Sequence, residues 1–86
     1  GEDEVLASCY RSSLALADAH GLKRVAFPAI STGAYGFPLR RATAIAVEAV
    51  AGHLRQSQQG GQVLFVCFDE PTAAVYREEL AQAGRE

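Results

Sequence analysis

Six consecutive apolar residues, Val63-Leu64-Phe65-Val66-Cys67-Phe68, constrain this chain more than any other feature. A run with no polar face belongs to a strand covered on both sides. A second, shorter run, Val25-Ala26-Phe27, sits inside Lys23–Ala29 and reads the same way. Pro28 has no N–H for a sheet ladder, so it marks that strand's end. The segments around these runs have helical spacing. In Asp3–His20, apolar residues recur at Val5, Leu6, Cys9, Tyr10, Leu14 and Ala17, one helical face. Glu2, Asp3 and Glu4 suit its N-terminus and Gly21 its C-terminal end. Leu39–Gln56 carries an apolar stripe of Ala42, Ile45, Ala46, Ala49, Val50, His53 and Leu54. A polar turn, Gln56–Gly61, separates it from the second strand. Thr72–Ala83 is the last helix, with Ala73, Tyr76, Leu80 and Ala83 on one face. Pro71 fits its first turn, and Asp69 or Glu70 is placed to cap it.

The order is therefore α-β-α-β-α, with the central βαβ unit expected as a right-handed parallel crossover. Two strands alone leave this picture short. Both read as central strands, and a two-stranded sheet exposes two apolar edges and lacks most of its core. A chain of 86 residues also buries proportionally little of its surface. The expectation is that residues 1–86 form the C-terminal part of a single larger domain whose N-terminal part precedes Gly1.

Charge excludes several classes of function. Eight basic and ten acidic residues give a net charge of −2, too balanced to steer the chain to nucleic acid or an acidic membrane. The longest uncharged stretch, Val25–Leu39, holds two prolines and two glycines and does not read as a membrane span. The opening Gly1-Glu2-Asp3-Glu4 is acidic where a signal peptide needs positive charge, so a cytoplasmic location is expected. Cys9 and Cys67 lie far apart among apolar neighbours and read as small buried hydrophobes in a reducing compartment. No Cys or His spacing suggests zinc, and no metal or cofactor is expected.

One segment carries chemistry: Ile30-Ser31-Thr32-Gly33-Ala34-Tyr35-Gly36-Phe37-Pro38. It leaves the carboxyl end of a parallel strand and enters a helix, the place where ligands bind in open α/β sheets. Unpaired N–H groups and the positive end of the helix dipole favour a phosphate there. Gly33 and Gly36 let the main chain approach an anion without an intervening Cβ. Ser31 and Thr32 add hydroxyl donors, and Tyr35 offers a ring and a hydroxyl to a sugar. The bland alternative is a βα connection with convenient turn residues. Position, hydroxyls and aromatic ring together favour binding. The loop is neither a Walker A motif nor a G-x-G-x-x-G dinucleotide fingerprint, and no nucleophile elbow is present. The second strand ends at the same face. There Phe68 is either a base-stacking ring or core, and Asp69 either a hydrogen-bond acceptor for ribose or adenine or a helix cap. His20 and His53 have helix-end and helix-face explanations. Arg40 and Arg41 read as a solvated face rather than anion ligands.

The residues from Val25 to Pro38 closely resemble the diphosphate-binding loop of macro domains, in the branch of O-acetyl-ADP-ribose deacetylases and mono-ADP-ribosyl hydrolases. Leu6–Leu14 resembles the family's preceding helix, and Val66-Cys67-Phe68-Asp69-Glu70 with Tyr76 its final strand and helix. The resemblance implies a three-layer α/β/α fold, here reduced to an α-β-α-β-α fragment with two parallel strands. It implies that Ser31, Thr32, Gly33, Ala34 and Tyr35 wrap the diphosphate and distal ribose, with Gly36 in the same turn and Phe68 against adenine. The ligand implied is ADP-ribose or O-acetyl-ADP-ribose, with ADP-ribosylated protein as a further partner. The family's acidic adenine contact and its Asn-rich, Gly-rich catalytic loop have no counterpart in these 86 residues. The resemblance thus assigns this chain one wall of a pocket and no catalytic residue. Three functions follow from it: a hydrolase of ADP-ribose esters in the complete domain, a non-catalytic ADP-ribose reader, or an inactive piece.

Overall fold

A computed structural model describes residues 2–29, 38–57 and 61–83. Five elements follow in the expected order: α1 (Glu2–Ala19), β1 (Arg24–Pro28), α2 (Leu39–Gln56), β2 (Gln62–Val66) and α3 (Glu70–Ala83). The strands run parallel, in a register that sets Ala26 against Leu64 and Pro28 against Val66. The ladder is closed at each end, by Gln62 N–H to the Lys23 carbonyl and Ala29 N–H to the Val66 carbonyl, both at 2.8 Å. Because groups alternate along a strand, Val25 and Phe27 face β2 as Ala29 does, while Pro28 faces the other edge. The missing N–H of Pro28 therefore removes nothing from this pairing.

Turn chemistry sets the element ends. Gly21, at φ 70°, closes α1 with a bond from its N–H to Asp18 and from Leu22 N–H to Ala17. This is a Schellman arrangement, and the left-handed residue in it favours glycine. α3 begins two residues earlier than the spacing indicates, because Asp69 caps it: its Oδ1 accepts from Thr72 N–H at 2.8 Å. Pro71 then occupies the first turn, where its absent donor is not needed.

The core lies on one side of the sheet. Tyr10 and Leu14 of α1 and Ala46 and Val50 of α2 are buried against Val25, Phe27, Val63 and Phe65. α3 joins the same side, where Tyr76 meets the Phe65 ring at 4.9 Å between centroids. Both strands alternate between exposed and half-buried positions. Thus the described residues cover each strand on one face, where the sequence suggests cover on two. Leu64 and Val66, on the open face, are 50% and 42% exposed. An apolar run states that both faces avoid water but not which elements of the same chain supply the cover.

Helical faces also differ in detail from the spacing. On α1 the inward line is Leu6, Tyr10, Leu14 and Ala17, whereas Val5 and Cys9 are exposed. Val5 and Cys9 each precede an inward residue by one position, about 100° around the helix, which turns them out of a narrow contact. Cys9 is therefore not the buried hydrophobe expected, and Cys67 is half-buried. α2 is packed between α1 and α3. Its inner surface is consequently wider than one stripe and includes Thr43 and Val47. Leu80, expected on the inward face of α3, is exposed.

Candidate functional site

β1 and β2 end side by side, so the segments that follow them leave the sheet at one edge. Ala29 is the last described residue before the glycine-punctuated loop, and Pro38 the first after it. Ser31, Thr32, Gly33, Ala34, Tyr35 and Gly36 lie outside the described residues. The two anchors are informative nonetheless. Ala29 is tied to β2 by its N–H, which donates to the Val66 carbonyl. Pro38 stands at the N-cap of α2 in an extended conformation, with φ −60° and ψ 143°. Among the described residues no side-chain capping bond is made at this N-cap, and the helix carries no acidic residue of its own in the first turn. Ala42 N–H makes the bond to the Pro38 carbonyl, at 3.0 Å. The amides of Leu39, Arg40 and Arg41 precede that bond in the first turn, where α-helical N–H groups have no intrahelical partner. With no acidic residue of its own in the first turn and the dipole's positive end there, this end of α2 is electrostatically suited to an anion.

The end of α3 is different. Asp69 spends Oδ1 on the Thr72 amide, and this bond holds the carboxyl below its ordinary range. The capping role expected for Asp69 is therefore present. Phe68 is 79% exposed, so it is not a core residue of the described structure. It projects from the same sheet end as the loop's anchor, the position a stacking ring requires.

Arg40 and Arg41 are neither free in solvent nor turned to an anion. Arg40 reaches Glu78 at 2.6 Å and Glu79 at 3.5 Å on α3. Arg41 reaches Asp3 on α1 at 2.5 Å. The first turn of α2 is thus laced to both neighbouring helices. The pairs are exposed, so their energetic weight is small, but they hold the helix end in place beside the loop.

His20 lies in the turn after α1. His53 contacts Asp18 Oδ2 at 2.9 Å, at the far ends of α1 and α2. Neither histidine is at the sheet's carboxyl edge. A groove of about 650 Å³ runs between α1 and α2, and its rim residues Asp3, Glu4 and His53 are already paired with Arg41, Arg11 and Asp18. Among the described residues no cluster of three His, Cys, Asp or Glu side chains is placed to hold a metal ion. Nor is any described helix long and apolar enough to cross a membrane.

The model of the macro domain family matches residues 1–46. This chain belongs to the macro domain family. Among curated relatives it is 51% identical, over 80 residues, to an O-acetyl-ADP-ribose deacetylase of Klebsiella pneumoniae. The match takes in 93% of this chain and 46% of that protein. Among solved structures it is similar to the Oceanobacillus iheyensis macrodomain with ADP, at a TM-score of 0.88 and 37% identity, covering 96% of this chain and 43% of that one. A variant of the same macrodomain with ADPR gives a TM-score of 0.89 at 37% identity, covering 98% and 45%. The chain thus spans about half the length of the curated relatives it matches. The five elements described above are a macro-domain α/β substructure.

Proposed function

We propose that this macro-domain segment supplies the diphosphate-binding wall of an ADP-ribose site. In this reading the main-chain N–H groups of Ser31, Thr32, Gly33, Ala34 and Tyr35 hold the diphosphate and distal ribose, with Gly36 in the same turn. Phe68 lies against adenine, and Asp69 accepts a hydrogen bond from the ligand beside its cap to Thr72. The carrying observation is the N-terminus of α2, with no acidic residue of its own in the first turn, at the sheet end where β1 and β2 finish together. It supports an anion at that edge. The Klebsiella relative's name and the nucleotides in the Oceanobacillus structures support ADP-ribose as the ligand class.

The complete domain hydrolyses an ester of ADP-ribose, either O-acetyl-ADP-ribose or a mono-ADP-ribosylated acidic side chain on a protein. Such a reaction needs the diphosphate clamped so that the ester-bearing ribose is oriented, and preorganised amides do that without reorganising during the reaction. The groups that activate water come from polypeptide beyond these 86 residues. The reading is tested by joining this segment to the remainder of a macro domain and titrating ADP-ribose calorimetrically. Micromolar binding together with acetate release from O-acetyl-ADP-ribose is expected. Binding without acetate release indicates a reader module, and no binding overturns the assignment.

A further inference from the structure

We infer that Arg40 and Arg41 are charge shields for the anionic ligand: they neutralise the carboxylates of Asp3, Glu78 and Glu79 that flank the N-terminal turn of α2, and so set how tightly that turn holds a diphosphate. This rests on the reading above that the diphosphate lies at this edge, and it names the residues that keep the edge open to negative charge.

Three observations carry it. First, two adjacent arginines occupy the first turn of α2. The positive end of the dipole makes a cation unfavourable there, so their placement does not serve the helix itself. Second, both guanidiniums are engaged by carboxylates of other helices. Arg40 reaches Glu78 and Glu79 of α3, and Arg41 reaches Asp3 of α1. The turn has no acidic residue of its own, yet its neighbours bring negative charge to it from both sides. Third, the Glu79 side chain is only 19% exposed, so water screens its charge poorly. Three carboxylates left bare at this end would repel a diphosphate, and the two arginines cancel most of their field.

Exposed pairs of this kind add little to the stability of the fold. Their charges still act over about 10 Å in 0.1 M salt, roughly two turns of helix. Shielding and bracing differ in sign. A brace is lost whichever partner is removed. A shield is lost with the arginine, whereas removing the carboxylate leaves an unopposed cation near the anion.

The test uses a completed domain, this segment joined to the remainder of a macro domain, with ADP-ribose titrated calorimetrically in about 0.1 M salt. Arg41→Gln should weaken binding about threefold, and Asp3→Asn should tighten it by about the same factor. The two together should return affinity to near the wild-type value. Arg40→Gln should weaken it likewise, and adding Glu78→Gln and Glu79→Gln should restore it. In about 1 M salt, where charges reach only about 3 Å, these differences should close. Arg55→Gln, about 20 Å along the same helix, should leave affinity unchanged. Weaker binding by Asp3→Asn overturns the inference in favour of a brace. Arginine variants that bind like wild type overturn it too, as does an equal loss from Arg55→Gln. If the wild-type domain fails to bind ADP-ribose, the proposed function falls and the shield with it. If it binds and this pattern of signs is missing, the shield alone falls.

Discussion

The rings of Phe65 on β2 and Tyr76 on α3 meet in the buried interior, at one end of a row of four aromatic side chains. Tyr10 meets Phe27 edge-on at 5.0 Å, Phe27 lies 6.4 Å from Phe65, and Phe65 meets Tyr76 at 4.9 Å. Each ring comes from a different element. On α2, Thr43 is wholly buried and its hydroxyl donates to the Leu39 carbonyl at 2.8 Å. The aromatic row joins four elements at one buried point.

This point makes the fold sensitive to alkali. Burial raises the ionisation of both tyrosines above the ordinary value of 10. Below pH 10 both are neutral, folded or unfolded, and their contribution is complete. Above it the unfolded chain loses protons that the folded chain keeps, so stability falls as pH rises, by up to about 1.4 kcal/mol per pH unit for each tyrosine. Urea midpoints measured from pH 9 to 11 should drop steeply, and the double substitution Tyr10→Phe, Tyr76→Phe should flatten the curve.

Adjacent residues on β2 should respond in opposite ways. Phe65 packs on the helical side, between Phe27 and Tyr76. Phe65→Ala should therefore destabilise by about 3 kcal/mol. Leu64 faces the open side. Leu64→Ala should shift stability by about 0.5 kcal/mol or less, the range of substitutions outside the packed core. Chemical denaturation of the two variants, followed by helical circular dichroism, checks the contrast.

Asp69 should show its cap in acid. Its carboxyl is held below the ordinary range chiefly by the Thr72 amide. The stabilisation is full above the unfolded carboxylate range and is lost as pH falls through the lower folded one. Asp69→Ala should lower the melting temperature at pH 7, and the gap to wild type should close near pH 2. Asp69→Asn, which keeps an acceptor for the cap, should melt near wild type at pH 7.

Gly33→Val, made in a completed domain, should weaken ADP-ribose at least tenfold by calorimetry, roughly 1.4 kcal/mol. A branched side chain there enters the space the proposed site gives to phosphate. Unchanged affinity would place the anion elsewhere.

The order of elements, the caps of α1 and α3 and the family were legible in the sequence because they rest on local rules. A glycine closes α1, an aspartate caps α3, and a long loop motif between two apolar runs has few alternatives. The phosphate role proposed for Ser31 to Gly36 comes from a rule of the same kind, residue types that suit an anion. What only tertiary structure decided is which way each residue faces. Val5 and Leu6 are both apolar neighbours in a helix, yet one is outside and the other in, because α1 offers a narrow contact to α2 and the sheet. Thr43 looks polar in a stripe count and is wholly buried, since α2 is enclosed by two helices and its hydroxyl finds the Leu39 carbonyl. The strands read alike on both faces, and only the packing of three helices on one of them distinguished Phe65 from Leu64. Periodicity encodes what a residue avoids, whereas its neighbour is chosen by elements distant in the chain.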